Sequence, residues 1–416
     1  MILHVGRLAV PLLSFIGVVA AGAELSISKR LQRDFNTSQK LCGYYLCDDV
    51  VVAWHAYNLQ VKGDPASMAV AVPVLRDLLV RDPASALRWA DLGDVFTQAG
   101  SIEKARSGFD RAVNLGHTSP GILISAGNFY IIAGERPRGL GYLARTLALT
   151  SGSDASIFSF LMFRRVSIED LLGYGVPPEK RAAQSFLRYL ISQPRLAQVR
   201  PLLADTRKTW EWMAARHLTD RQIAIDYSDF LLRQRQFEVA AEVWASQSGE
   251  HRQGFRTHQF LYNPDFEEEF TPAAFDWHIF PLDHVEVVRD PQAYSGKYSL
   301  RIRFDGAANI DYHHVVQKAV LPPGKYRFEA YIRTEDVTTD KGVSFQISDA
   351  EAPNRLSVET EPVLGTTPWH AVQTTFAVSP ATPLIEIRVI RRPSLKFDSK
   401  VNGSVWIDHA VLTPIE

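Results

Sequence analysis

The sequence predicts a multidomain α + β chain in which an N-terminal α-solenoid of helical hairpins is followed by an antiparallel β-sandwich. A change of pattern along the chain indicates this division. Up to about residue 248 the apolar residues recur with the 3.6-residue period of a helix, and from Leu261 they alternate with polar residues as in a strand. A length of 416 residues also exceeds what one core accommodates and suits two or three units.

Composition and charge narrow the class of partner. Apolar residues make up 46% and charged residues 22% of the chain, which is ordinary for a globular protein. The formal net charge is -1, so the chain has no overall positive field that would attract nucleic acid. We therefore expect no nucleic-acid partner.

Residues 1–24 have the pattern of an export signal. Arg7 is followed by an uncharged run over residues 8–23, which ends in the small residues Ala21, Gly22 and Ala23 that suit a cleavage site. The run is shorter than the roughly 20 apolar residues that cross a bilayer, so the segment is predicted to be a cleaved signal peptide or a short retained anchor. Both readings predict a periplasmic or inner-membrane-anchored protein, with membrane contact through this segment only.

Residues 25–51 form a connecting segment that contains both cysteines of the chain. Cys42 and Cys47 could close a small disulfide loop in an exported protein. If the segment is a continuous helix, an i, i+5 pair points its side chains apart, which favours two free buried thiols. The sequence leaves both interpretations open.

Residues 86–119 carry the clearest helical pattern. Two sets of apolar residues keep the spacing of one helix face on either side of a Gly100-Ser101 break: Trp89, Leu92, Gly93 and Phe96 before it, and Ala105, Phe109 and Ala112 after it. This pattern predicts two helices joined by a tight turn, with Gly93 and Ala105 small enough to let the backbones approach. Similar sets recur one period of about 34 residues away in each direction.

This arrangement of residues resembles the tetratricopeptide repeat. The resemblance implies repeats over residues 52–153, degenerate helical repeats or a cap over residues 154–248, and a polar linker over residues 249–260, with the domain boundary near residue 255. It also implies a protein partner bound along the first helix of each pair. The candidate residues of that groove are Arg88, Asp91, Asp94 and Asn128.

Residues 261–416 predict the sandwich. Leu300, Ile302 and Phe304 alternate with charged residues, and a similar alternation occurs in residues 325–333 and 385–390. Further strands are predicted near residues 313–320, 343–348, 370–378 and 404–412. Strands that are half polar favour an antiparallel sandwich over a parallel sheet buried on both faces.

Several motifs in this region resemble those of the jelly-roll carbohydrate-binding modules, over residues 261–414. These motifs are residues 263–267, Trp277, residues 294–302, residues 323–326, Trp369 and residues 405–408. The resemblance implies a glycan-binding domain in which Gly296 occupies a turn. It further implies that Trp369 and Trp406 are core residues.

The same resemblance implies one structural calcium ion. Its predicted ligands are the carboxylates of Glu267 and Asp408 and the backbone carbonyls near Asp265 and Lys297. Calcium takes six to eight oxygen ligands, which two carboxylates and loop carbonyls could largely supply. His409 departs from the family pattern, which usually has a second acid or an amide at that position.

A sugar site requires aromatic faces beside groups that hydrogen-bond to hydroxyls. The predicted aromatic candidates are Trp277, Phe280, Tyr312 and His313, and the predicted hydrogen-bonding candidates are Asp311 and Arg391. Tyr312 and His313 are expected at the surface, whereas the position of Trp277 often faces the core in the resembling family. The alternative is that Trp277 and Tyr312 pack between the sheets.

No sequence motif predicts catalysis. The chain lacks G-x-S-x-G, Walker, H-E-x-x-H and C-x-x-C patterns, and the adjacent His313 and His314 should point to opposite faces of a strand rather than form a zinc pair. The prediction is a non-catalytic bacterial cell-envelope scaffold or adaptor that binds a protein and a glycan, for example in surface polysaccharide assembly or export. A purely structural scaffold is the alternative, and a polysaccharide-active enzyme is a third.

Overall fold

The structure is a computed structural model that describes residues 65–193, 201–247, 256 and 259–415. The predicted export segment, the connecting segment with Cys42 and Cys47, and most of the predicted linker lie outside the described residues. The chain divides into two compact units, Met1–Leu190 with Arg195–Leu218 and Ile191–Pro194 with Thr219–Glu416. Each unit has its own core.

The first unit is helical. Its elements are α1 (Pro65–Arg81), α2 (Ala86–Gln98), α3 (Ile102–Leu115), α4 (Pro120–Ile132), α5 (Arg136–Leu149), α6 (Asp154–Phe163), a short α7 (Ile168–Asp170) that continues into a π-helical turn (Leu171–Gly175), α8 (Lys180–Ser192) and α9 (Leu202–Ala214). Helices α2 with α3 and α4 with α5 form antiparallel hairpins. In the part of the chain that the structure describes, no helix is both long and apolar enough to cross a bilayer.

Small residues set the distance between the helices of each hairpin. A Cβ at Gly108 would lie 3.1 Å from the Cα of Gly93, and in the second hairpin a Cβ at Gly139 would lie 2.7 Å from the carbonyl oxygen of Gly127. The prediction that Gly93 allows a close approach is confirmed. The small residue found against Gly93 is Gly108, rather than the predicted Ala105.

The two hairpins repeat the same turn. Gly100 after α2 and Gly134 after α4 both have positive φ values, 70° and 90°, which a residue without a Cβ adopts easily. The next amide N–H in each case donates back to the helix, from Ser101 to the Phe96 carbonyl and from Glu135 to the Tyr130 carbonyl. These equivalent contacts show a helical repeat region.

The second unit contains two helices and a β-sandwich. The helices are α10 (Arg221–Arg233) and α11 (Phe237–Ser246), and the strands are β1 (His278–Ile279), β2 (Val285–Asp290), β3 (Ser299–Asp305), β4 (Tyr312–Val320), β5 (Gly324–Val337), β6 (Ser344–Asp349), β7 (Ser357–Glu359), β8 (Gly365–Val378), β9 (Leu384–Arg391) and β10 (Asn402–Ile415). One sheet has the strand order β1-β4-β9-β6-β7 and the other β2-β3-β10-β5-β8. All pairings are antiparallel, so the predicted fold class is confirmed.

The core of the sandwich lies between the two sheets. Alternate residues of the strands enter it, as in β3, where Leu300, Ile302 and Phe304 are buried. The intervening side chains of β3 face outward, as the alternation predicted. The burial of these side chains removes apolar area from water at about 25 cal/mol per Å², which is the main stabilising contribution to such a domain.

The hairpin α10–α11 belongs to the second unit. The predicted boundary near residue 255 instead assigns this hairpin to the helical repeats. The Trp244 ring packs edge-on against the Tyr262 ring at 5.2 Å, and Arg221 donates to the Tyr262 hydroxyl at 2.8 Å. Arg235 and Glu351 form an ion pair at 2.7 Å. Tertiary contacts of this kind leave no signature in the local periodicity, which is why the division by contacts differs from the boundary that the sequence predicts.

Candidate functional site

A cleft of about 810 Å³ lies on the outer face of the sheet β1-β4-β9-β6-β7. It is lined by residues of β1, β4 and β9, by loop residues next to β1, and by one residue of α10. Its aromatic, imidazole and charged side chains are those of His278, Phe280, His313, His314, Lys318, Glu386, Arg388 and Asp229. We refer to this set of residues and the space they enclose as the cleft.

Strand register places several of these side chains side by side. His278 of β1 pairs with Val316 of β4, which in turn pairs with Arg388 of β9. Two residues further along each strand, Lys318 pairs with Glu386. Directly paired residues project to the same face of a sheet, so these side chains form the floor of the cleft.

A β-bulge brings both His313 and His314 to the cleft. Between Tyr312 and Val315, β4 has one residue more than the paired part of β9, so the strict alternation of faces is interrupted. The two imidazole rings lie 4.6 Å apart, measured between centroids. The expectation that these neighbours point to opposite faces is therefore wrong.

Phe280 offers an accessible phenyl ring to the cleft. Its side chain is 47% exposed, and its ring centroid lies 4.3 Å from that of His278. The backbone N–H of Phe280 donates to the His314 carbonyl oxygen at 2.8 Å, which holds this loop against β4. The ring is thus presented on an ordered backbone rather than on a free loop.

The charges of the cleft come in pairs. Arg388 forms an ion pair with Glu386. Burial raises the pKa of Asp229, although an N–H of Ala274 and the cations of Arg233 and Lys318 act in the opposite direction. Burial, followed by the adjacent His313, lowers the pKa of His314 below its ordinary value of 6.5, so that this imidazole is neutral at pH 7.

The predicted aromatic residues divide between the cleft and the core. Phe280 and His313, two of the predicted sugar-contacting residues, line the cleft. Trp277 is fully buried, its indole N–H donating to the Asn263 carbonyl oxygen at 3.2 Å. Tyr312 is only 1% exposed, so the expectation of a surface tyrosine is wrong and the alternative of packing between the sheets holds.

The two predicted hydrogen-bonding groups do not line the cleft. Arg391 is fully buried and donates to the side chains of Asn309 and Thr339, each at 3.0 Å, so its guanidinium ties loops together rather than facing a ligand. Asp311 is exposed on the segment before β4 and is not among the lining residues.

Glu267, a predicted calcium ligand, accepts backbone hydrogen bonds instead. Its Oε1 accepts from the N–H groups of Lys297 and Tyr298, at 2.6 and 3.0 Å. Gly296 turns the chain there with φ +67°, and a Cβ at this position would lie 2.2 Å from the same oxygen. The predicted need for glycine at position 296 is confirmed, and the carboxylate occupies the space beside it.

Asp408 makes equivalent contacts. Its Oδ2 accepts from the N–H groups of Tyr294 and Ser295, at 2.8 and 2.9 Å, and its Oδ1 accepts from the His409 N–H at 2.7 Å. Asp265 contacts the His409 ring at 2.7 Å.

The predicted calcium ligands therefore do not fit an ion in this arrangement. The loop at residues 294–298 presents N–H donors to the carboxylates of Glu267 and Asp408, where a cation would require oxygen donors. Within the described residues, no group of three or more His, Cys, Asp or Glu side chains is placed to hold a metal ion.

The predicted groove residues of the helical unit lie on two neighbouring helices. Arg88 and Asp91 on α2 form an ion pair at 2.8 Å. Burial, and then the neighbouring Asp91, raise the pKa of Asp94 to about 6, against the effect of a hydrogen bond with Ser125 of α4. Asn128 is half-buried on α4.

Sequence reasoning missed most of the cleft floor. The alternation of β4 and β9 could have identified Lys318, Glu386 and Arg388, because each lies between two core residues. His278 follows the buried Trp277 and could have been found the same way. Asp229 carries no such signal, because only the packing of α10 brings it to the cleft.

No protein-family model matches the chain, and no curated protein matches its sequence. Solved structures that resemble it include a family 61 carbohydrate-binding module in complex with β-1,4-galactotriose, with TM-score 0.28 and 20% identity over 38% of this chain and 100% of that chain.

Two further solved structures belong to the same class. A family 22 xylan-binding domain from Paenibacillus barcinonensis matches with TM-score 0.25 and 15% identity, over 36% of this chain and 92% of that chain. A family 4 carbohydrate-binding module matches with TM-score 0.29 and 14% identity, over 37% and 99%. These matches cover the β-sandwich, and the helical unit lies outside them.

Proposed function

We propose that the second unit is a non-catalytic glycan-binding module whose ligand lies in the cleft. The observation that carries the proposal is the half-exposed Phe280 ring, which stands beside His278 at a cleft floored by Lys318 and Arg388. An accessible ring and a charged floor in one concavity match the two kinds of surface that a sugar presents.

The chemistry of sugars explains why both parts are needed. The axial C–H groups of a pyranose form an apolar face that can cover an aromatic ring, and the surrounding hydroxyls need charged or polar partners. Ligand sites of this type are concave, with an apolar wall and a small number of placed polar groups. The cleft has these properties at about 810 Å³, within the ordinary range for small-ligand sites.

The proposal extends to the helical hairpins. Their resemblance to tetratricopeptide repeats favours a protein partner at the surface formed by α2 and α4, where Arg88, Asp91, Asp94 and Asn128 lie. A protein that holds both a glycan and a protein partner suits an adaptor in the assembly or export of surface polysaccharide. Its predicted place outside the cytoplasm depends on residues 1–24 alone.

The test is glycan binding by the full chain. Affinity electrophoresis against a panel of soluble polysaccharides should reveal retardation, and Phe280→Ala should weaken the affinity for the retarding polysaccharide by about tenfold, because a stacked ring contributes about 1 kcal/mol or more. Phe397→Ala is the matched control, since Phe397 is fully exposed and lies outside the cleft. Its affinity should equal that of the wild type.

Other outcomes decide between the alternatives. If no polysaccharide retards the wild-type chain, the module is a structural scaffold and the proposal fails. If the two phenylalanine variants lose affinity equally, the ligand does not lie in the cleft. Release of reducing ends from a bound polysaccharide would show that the protein is an enzyme.

A further inference from the structure

The cleft has one wall that does not come from the sandwich. Asp229 of α10 lines it together with residues of β1, β4 and β9. The opposite side of α10 is buried, with Ile223, Tyr227 and Phe230 each less than 5% exposed. Asp229 is therefore carried by a helix whose other face is anchored.

The contacts of the hairpin hold α10 in place within the second unit. The Trp244 ring of α11 packs against Tyr262, and the Tyr262 hydroxyl lies between Arg221 of α10 and Glu268, accepting from the first and donating to the second. An Asp220 carboxylate caps α10 by accepting from the Ile223 N–H at 3.0 Å. The position of Asp229 thus depends on packing and hydrogen bonds, and not on a loop.

The balance of charge in the cleft indicates which ligands it accepts. Two cations, Lys318 and Arg388, face two carboxylates, Asp229 and Glu386. Arg388 is paired with Glu386, and Asp229 is influenced by the cations of Arg233 on α10 and Lys318 on β4 and by the carboxylate of Asp226. The two lysine and arginine cations of the lining are thus matched by its two carboxylates, which leaves no surplus of these cations to balance an acidic sugar.

From this geometry we infer that Asp229 is a specificity-determining residue and that the cleft takes neutral glycans in preference to uronic-acid-containing ones. The inference deepens the proposed function and rests on it. A carboxylate accepts two hydrogen bonds from adjacent hydroxyls of a neutral sugar, and it repels the carboxylate of a uronic acid. The helical hairpin is accordingly part of the glycan-binding unit, which the sandwich by itself does not complete.

The experiment measures the affinity of the full chain for neutral polysaccharides, such as galactan and xylan, and for polygalacturonate as the acidic probe. The wild type should bind a neutral polysaccharide and not the acidic one. Asp229→Asn should lose about tenfold or more in affinity for the neutral ligand, because a charged acceptor is replaced by an amide. Asp229→Asn also removes one negative charge, so the discrimination against polygalacturonate should narrow.

Asp226→Asn is the matched control, because Asp226 lies on the same helix, one turn away, and accepts from Gln222 outside the cleft. Its affinity should be unchanged, and the circular dichroism of both variants should match the wild type. If Asp229→Asn binds the neutral ligand as tightly as the wild type, this inference fails and the proposed function stands. The same holds if the wild type binds polygalacturonate but no neutral polysaccharide. Absence of any glycan binding by the wild type would overturn the proposed function and this inference with it.

Discussion

The two outer faces of the sandwich both carry aromatic residues, yet they differ in what those rings contact. On the sheet β1-β4-β9-β6-β7, Phe280 borders an open cleft. On the sheet β2-β3-β10-β5-β8, the Tyr294 and Tyr331 rings stack at 3.6 Å, and Arg333 covers the Trp406 ring at 4.9 Å. The rings of this second face contact one another or an arginine side chain and do not border a cleft of this size, although Tyr294 is 45% exposed.

This difference shows that aromatic content does not by itself indicate a sugar site. A ring contributes to ligand binding through the face that water covers in the free protein, and to stability through the face that a neighbour covers. Trp369, expected in the core, is partly buried outside it, and its ring centroid lies 6.0 Å from that of Tyr294. The following predictions use the contrast between a binding face and a stabilising face.

The largest effect is expected for Asp408→Ala, on the stabilising face. The change removes the acceptor of three backbone N–H groups, those of Tyr294, Ser295 and His409, at a side chain that is fully buried. The free energy of unfolding should fall by about 2–4 kcal/mol, since a hydrogen bond to a charged acceptor contributes about 1.5–3 kcal/mol and these donors are only partly buried. Denaturant unfolding of the full chain, followed by the strand signal in circular dichroism, measures this loss.

Asp265→Ala is the control for that experiment. Asp265 contacts only the His409 ring among these groups and is more accessible, so its removal should lower stability much less. Equal losses in the two variants would contradict the assignment of the backbone contacts to Asp408.

The next effect is the pH dependence of stability that comes from Asp349, at the end of β6 in the sheet β1-β4-β9-β6-β7. Burial alone would raise the pKa of this carboxyl, but the Ala352 N–H, the Arg355 guanidinium and the Glu351 N–H together lower it below 3.8. A lowered folded-state pKa contributes stability that is present above pH 3.8 and is lost as the pH falls through the folded value. Asp349→Asn should therefore lower the melting temperature strongly at pH 7 and much less near pH 3.

Asp398→Asn, at an exposed position, is the matched control and should follow the wild type at both values of pH. A gap between Asp349→Asn and the wild type that stays constant from pH 7 to pH 3 would show that the carboxylate charge of Asp349 does not stabilise the fold.

A smaller effect separates the two faces directly. Tyr294→Ala should lower the free energy of unfolding by about 1–2 kcal/mol, through loss of the stacked pair with Tyr331, and leave glycan affinity unchanged. Phe280→Ala should lower the glycan affinity and leave the free energy of unfolding nearly unchanged, because its half-exposed ring contributes little to the core. Isothermal titration and denaturant unfolding of both variants make the comparison, and a loss of affinity in Tyr294→Ala would place the ligand on the second face.

The smallest effect is expected from removal of divalent ions. Because N–H donors face Glu267 and Asp408, a chelator should leave the melting temperature of the full chain within experimental error. If the chelator lowers the melting temperature and added calcium raises it again, as binding to the folded state by RT ln(1 + [L]/Kd) requires, the chain holds the calcium ion predicted at Asp265, Glu267, Asp408 and the Lys297 carbonyl.

Much of the fold could be predicted because it depends on local patterns. The alternation of Leu300, Ile302 and Phe304 identifies a strand that buries one face, and the structure confirms it as β3. Gly296 could be predicted in the same way, because its turn requires a positive φ that a Cβ would strain. In each case the determining interaction lies within a few residues along the chain.

The candidate site was predicted less well, because it depends on exceptions to these patterns. An extra residue in β4 buries Tyr312 and turns both His313 and His314 toward the cleft. A bulge of one residue is not visible in an alternation that is otherwise regular. Arg391 shows the same limit in another form, since an arginine reads as a surface residue unless the carbonyl and hydroxyl groups that surround it are known.

The sequence by itself determined the succession of a helical region and a strand-rich region and the sandwich class. Periodicity suffices for these because hydrophobic burial imposes it on each element separately. Only the tertiary structure decided that α10 brings Asp229 to the cleft and that backbone N–H groups occupy the carboxylates of Glu267 and Asp408. Such contacts join residues far apart in the chain, and their geometry depends on packing that no local pattern encodes.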